Sequence, residues 1–183
     1  MKHRILTTFL NSIIVLSTLL ALTFSNIGIT PAYAAETWQQ VGTAGFSAGT
    51  AYEISLAFDG STPYVAYADG GNSNKASVRK FNGTAWEQVG VAGFSAGAAS
   101  FPSLALYGGT PYVAYRDGAN SNKVSVMKFN GTSWEQVGIA GFSAGNSTSV
   151  SLAFDNGGTP YVAYADWTTV PGGKASVDRK SVV

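Results

Sequence analysis

Residues 123–145 read KVSVMKFNGTSWEQVGIAGFSAG, and residues 75–97 read KASVRKFNGTAWEQVGVAGFSAG. Trp38, Trp86 and Trp134 hold the same place in three copies of W-[QE]-Q-V-G, each 48 residues after the last. A fixed period of this size marks a repeat architecture, in which each unit is one supersecondary element that buries its faces against its neighbours.

Working outward from that stretch, the unit reads as four short strands. Residues 54–58 (ISLAF) are apolar and strand-like, and Asp59-Gly60-Ser61 follow as a turn. Residues 64–68 (YVAYA) are aromatic and β-branched, with Pro63 at the entrance, where a missing N–H is tolerated. Residues 69–74 (DGGNSN) form a dense loop signal. Residues 75–81 alternate weakly, and Asn82-Gly83 predicts a type I′ hairpin in which both central residues take φ > 0. Residues 85–89 (AWEQV) are the fourth strand, and a Gly- and Ala-rich link leads to the next unit. No window shows a convincing helical period.

Four antiparallel strands in about 40–50 residues is the signature of a β-propeller blade. The expected fold is therefore all-β: propeller-like repeats, about three four-stranded blades, in an incomplete propeller. A β-solenoid and a sandwich are the rival folds; solenoid rungs are usually shorter, and sandwich strands occupy unlike positions. The third copy carries one extra residue before Thr159 and two more between Asp166 and Lys174. Both fall in expected loops, where insertions cost little.

The organisation read from the chain has three parts. Residues 1–34 form an expected signal peptide: Lys2 and Arg4, an apolar run, then Ala32-Tyr33-Ala34 as the cut site. Residues 35–177 form the partial propeller, in units 37–90, 91–138 and 139–177, the first opening on a lone fourth-type strand over residues 37–42. Residues 178–183 (DRKSVV) break the template in mid-strand. Their letters are the translation of a common sequencing-adapter read followed by a stop, so they are expected to be a non-native tail on a fragment of a longer repeat protein.

Composition narrows the chemistry. The 183 residues carry a formal net charge of +1 and only 11% charged residues, so neither nucleic acid nor an anionic membrane is an expected partner. With no cysteine and with His3 as the only histidine, disulfides, Ser-His-Asp and Cys-His catalysis and the usual zinc sites are excluded downstream of the leader. G-F-S-A-G resembles a nucleophile elbow, but it occurs three times and without a partner histidine. Phe46, Phe94 and Phe142 of that motif are expected to plug between blades. Paired carboxylates could hydrolyse glycosides without histidine; the acids present include Glu53, Asp59, Glu87, Glu135 and Asp155.

The loops supply the candidate contacts. Asp69, Asn72 and Asn74 recur as Asp117, Asn120 and Asn122, and Asp166 opens the third, enlarged loop with Trp167 and Pro171. These Asp and Asn residues and Trp167 are the expected ligand-binding set. Calcium wants six to eight oxygens, whereas each loop offers a single carboxylate; Asx-turn hydrogen bonding is the preferred reading, and no cofactor is expected. The recurring Tyr and Trp residues are read as core in preference to sugar-stacking platforms.

The words TPYVAYRDGANSNKVSVMKFNGTSWEQVG (110–138) and GFSAG resemble repeats of large secreted bacterial surface proteins. The resemblance implies a propeller, often joined to S-layer-homology or other wall-attachment modules, in a secreted or wall-associated setting. Together these readings point to a non-enzymatic binding or scaffold module, its partner a surface protein or polysaccharide, with no stable membrane insertion once the leader is cut. The alternatives are a fragment of a carbohydrate-active enzyme whose catalytic residues lie elsewhere, and an inert spacer.

Overall fold

The computed structural model describes residues 37–168 and 172–181. The chain divides into residues 1–39 and 40–183, and the architecture below belongs to the second unit. The expected leader and Pro171 lie outside the described residues.

Three antiparallel sheets follow one another in chain order. The first holds β1 (Ala51–Asp59), β2 (Thr62–Asp69), β3 (Lys75–Phe81) and β4 (Trp86–Gln88). The second holds β5 (Ala99–Tyr107), β6 (Thr110–Asp117), β7 (Lys123–Phe129) and β8 (Trp134–Gln136). The third has three strands, β9 (Ser147–Phe154), β10 (Pro160–Asp166) and β11 (Lys174–Arg179). Each sheet is a simple meander, and the first strands of neighbouring sheets pack closest together. The sheets are thus blades set about a common side, with β1, β5 and β9 innermost. The expected strand over residues 37–42 joins no ladder. β4 and β8 pair with the strand directly before them, and the segment before Thr37 is outside the described residues.

The middle of each blade explains the weak alternation in the sequence. Ala76, Ser77 and Val78 are all fully buried, as are Val124 and Ser125 on β7. A strand covered on both faces by neighbouring blades has no reason to alternate. Tyr64, Ala66 and Val78 of the first blade pack with Leu104, Val113, Tyr115 and Trp134 of the second. Ala114, Val124 and Val126 of the second pack with Leu152, Val162 and Tyr164 of the third.

The Asn-Gly turns differ from the expected type I′. Only Gly83 and Gly131 take positive φ (96° and 97°); Asn82 and Asn130 do not. Instead, the Asn82 carboxamide oxygen accepts from the amides of Thr84 and Ala85, and the Asn82 amide donates to the Ala85 carbonyl. The Asn side chain closes a four-residue loop, a service that a two-residue turn would not need. The Gly108-Gly109 turn between β5 and β6 has positive φ at both centres, 55° and 75°.

The GFSAG link is structural. Ser95 Oγ accepts from the Ala76 amide at 2.9 Å and donates to the Gly97 carbonyl at 2.7 Å. Ser143 repeats this on Val124 and Gly145. Phe94 stacks on Trp134 of the next blade at 4.0 Å, and Phe46 on Trp86 at 4.5 Å. The phenylalanines therefore wedge between successive units, and their serines stitch the link to the blade it leaves.

Buried tyrosines make the fold sensitive to alkali. Burial pushes the hydroxyls of Tyr67, Tyr115 and Tyr164 above the ordinary value of 10.0; Asp117 adds to the rise at Tyr115, and a hydrogen bond to Asp178 to that at Tyr164. The folded state keeps these protons at a pH where the unfolded chain releases them. Stability is therefore unaffected by these groups below pH 10 and falls as pH rises past it. Urea unfolding at stepped pH should show a falling midpoint above pH 10, and absorbance at 295 nm should show these tyrosines ionising only with unfolding.

Candidate functional site

Two rims bound the array. One carries the loops after β2, β6 and β10 together with the links that enter β5 and β9; the other carries the hairpin turns. The loop residues singled out in the sequence share the first rim, but they do different things there.

Asp69 is buried, and its oxygens are taken up by its own chain. Oδ1 accepts from the Gly71 amide at 3.0 Å, and Oδ2 accepts from Asn72 Nδ2 at 2.9 Å and Ser77 Oγ at 2.8 Å. Asp117 repeats the arrangement with Ala119, Asn120 and Ser125. Ser77 Oγ in turn accepts from the Gly93 amide, and Ser125 Oγ from that of Gly141. Each Asp thus caps a single 3-10 turn and anchors, through a serine, the link leaving its blade. This is the Asx-turn arrangement, with the carboxyl group facing inward.

Asn74 and Asn122 are exposed and left-handed, with φ of 57° and 60°. Their carbonyls receive the amides of Ala99 and Ser147, the first residues of β5 and β9. Their backbone therefore positions the innermost strand of the next blade. The third loop departs from the pattern. Asp166 accepts from the amide and hydroxyl of Thr168, and these bonds hold its carboxyl below the usual carboxylate range. Trp167 is 47% exposed, and its indole N–H donates to Thr148 Oγ1 at 2.9 Å. That bond fixes a half-open aromatic face at the start of β9. Among the described residues, no group of three or more His, Cys, Asp or Glu could hold a metal ion, and no helix is long and apolar enough to cross a membrane.

The innermost strands add a residue that the sequence reading counted but did not single out. Glu53, Phe101 and Ser149 occupy equivalent places, each with positive φ (51°, 52° and 54°). At Glu53 and Phe101 the pairing with the second strand shifts register, as a β-bulge does. Non-glycine residues held there are strained, and such strain clusters at functional positions. Glu53 is exposed, and its Oε2 accepts from the Phe101 amide at 2.6 Å. Among the described residues the innermost strands carry two carboxylates, Glu53 and, as the last residue of β1, Asp59. The signal in the sequence is its singularity: an acid where the other two copies carry Phe and Ser.

On the opposite rim, two related clefts lie between blades. One, of about 590 Å³, is lined by residues including Tyr64, Lys80 and Lys128. The other, of about 400 Å³, repeats it with Tyr112, Lys128 and Lys180.

No family model matches the chain, and no curated protein matches it. Solved structures do. A thermostable family-43 glycoside hydrolase superposes with a TM-score of 0.54 at 15% identity, over 77% of this chain and 52% of its own. An endo-1,4-beta-xylanase from Bacteroides thetaiotaomicron VPI-5482 gives a TM-score of 0.50 at 16% identity, over 72% and 47%. The fold is a partial β-propeller. The chain spans about half the length of these relatives.

The comparison corrects the expectation that the chain is no enzyme. The architecture read as a non-enzymatic binding or scaffold module is one that glycoside hydrolases share. Carboxyl groups alone can hydrolyse a glycosidic bond, and Glu53 is an acid that the other two copies do not repeat.

Proposed function

We propose that this chain is part of a carbohydrate-active enzyme of propeller architecture. What supports the reading is the superposition on a glycoside hydrolase over most of this chain and about half of the other. The loop rim is the face assigned to the glycan. Trp167 offers a fixed aromatic surface on which a sugar ring can stack, and Glu53 a carboxylate on an innermost strand. Hydrolysis takes two carboxyl groups roughly 5–9.5 Å apart. Glu53 supplies one; its partner belongs to the part of the enzyme beyond the described residues.

Retention on, and reducing-sugar release from, a panel of insoluble polysaccharides tests this, using the chain and the longest reading frame that contains it. Trp167→Ala is expected to weaken retention about tenfold, in line with roughly 1 kcal/mol for a stacked ring. Glu53→Gln is expected to slow release by the longer protein about 100-fold or more while retention persists. Neither retention nor release on any polysaccharide would overturn the proposal.

A further inference from the structure

The larger cleft on the hairpin rim holds chemistry that the fold does not use. It lies between the first and second blades and takes its walls from both. Its volume, about 590 Å³, is that of a small-ligand pocket. Tyr64 stands opposite Lys80 in one ladder, and Tyr112 opposite Lys128 in the next. Each blade thus presents an aromatic ring beside an ammonium group. Both lysines line the cleft, and among the described residues no Asp or Glu lines it.

Among the described residues Lys80 has no ion pair, and Lys128 has only a 3.9 Å contact with Glu135, which is worth little at the surface. Two acids stand near. Asp59 Oδ2 is 3.5 Å from where a Cβ on Gly109 would sit, and Glu87, opposite Lys80, accepts from Asn82. Both acids are exposed and screened by water, whereas both lysines are half-buried. The cleft is therefore positive. It also lacks a donor. Gln88, which lines it, gives its Nε2 to the Val78 carbonyl at 3.0 Å, and its Oε1 is buried with no partner. A buried acceptor left unpaired is costly, and a ligand hydroxyl at that wall supplies the missing bond. Carboxylate, hydroxyls and an apolar ring face occur together in an acidic sugar. The second cleft, of about 400 Å³, shares Tyr112 and Lys128 with the first, so the two adjoin. Glu135 lines that second cleft, which leaves the first as the place for the charged unit.

We propose that the cleft between the first two blades binds a carboxylate-bearing saccharide, with Lys80 and Lys128 on the carboxylate and Gln88 Oε1 accepting from a hydroxyl. The adjoining cleft takes a neighbouring sugar of the same chain. This site is on the rim opposite Trp167, and binding there needs no turnover. The proposal therefore does not rest on the enzyme reading.

Isothermal titration calorimetry with tetragalacturonate, and with uncharged xylotetraose as its control, tests the site. Tetragalacturonate is expected to bind at least about tenfold more tightly than xylotetraose, and less tightly as salt rises. Lys80→Gln should weaken tetragalacturonate about tenfold with unchanged circular dichroism. Lys80→Arg, which keeps the charge, should stay within about threefold of wild type. Equal affinity for the charged and uncharged probes would overturn the proposal. So would wild-type affinity in Lys80→Gln, or no binding of tetragalacturonate at millimolar concentration.

Discussion

Replacing Trp134 by alanine is expected to cost about 3–5 kcal/mol, the range for removing a large buried aromatic. The indole is buried, stacked on Phe94 at 4.0 Å with 9° between the planes, and tilted against Phe129 at 5.6 Å. Its N–H donates to the Val89 carbonyl at 2.9 Å, across the boundary between the first and second blades. Area, stacking and a hydrogen bond are lost together, and the Val89 carbonyl is left without that donor. Trp134→Phe keeps a ring against Phe94 but not the donor, so it should fall between wild type and alanine. Trp86 makes the same bond to Val41 at 3.0 Å but is only half-buried. Trp86→Ala should therefore cost less. Urea denaturation measures all three; equal losses at Trp86 and Trp134 would show that burial between blades is not what makes the residue matter. Because the contact joins two blades, Trp134→Ala should also broaden the transition, as weakened coupling between repeats does.

The period of 48 residues carried the fold because every blade reuses the same punctuation. Turns at Gly60, Asn82-Gly83 and the Asp69 loop divide the unit into strands whose observed bounds lie within a few residues of those read from the letters. The alternation that usually assigns strand faces was of little use, since Ala76, Ser77 and Val78 are buried whichever way they point. The bulge at Glu53 was illegible for a different reason. Glu, Phe and Ser share no chemistry, so nothing in their identities announces the positive φ that they have in common. The recurring Asp residues were legible as turn-formers but not as buried anchors: the serine eight residues on, which ties each to the next link, reads as one more strand residue. That carboxylates could hydrolyse a glycoside was legible in the letters; that Glu53 lies on an innermost strand was not, since it depends on how the sheets pack.

Asp117→Ala should rank with Trp134→Ala, although it removes only a few atoms. The side chain accepts from the Ala119 amide at 3.0 Å, Asn120 Nδ2 at 2.8 Å and Ser125 Oγ at 2.8 Å. Asp117 and Ser125 are both fully buried, so the donors left behind cannot all turn to water. A hydrogen bond is worth about 0.5–1.5 kcal/mol when made, and a buried group left unsatisfied costs about 1–3 kcal/mol. A loss of about 3–4 kcal/mol follows, most of it from the stranded donors. Asp117→Asn tests that account. It keeps the shape and one acceptor but turns an N–H₂ group toward donors, so it should recover less than half of the loss. Ser125→Ala removes one bond and the anchor for the Gly141 amide, and should cost about 1–2 kcal/mol. The third loop is the built-in control. Asp166 is only half-buried and has Thr168 as its partner, and Asp166→Ala should leave the urea midpoint nearly unmoved. If Asp117→Ala were as mild as Asp166→Ala, the inward-facing carboxyl would not be what ties loop, strand and link together.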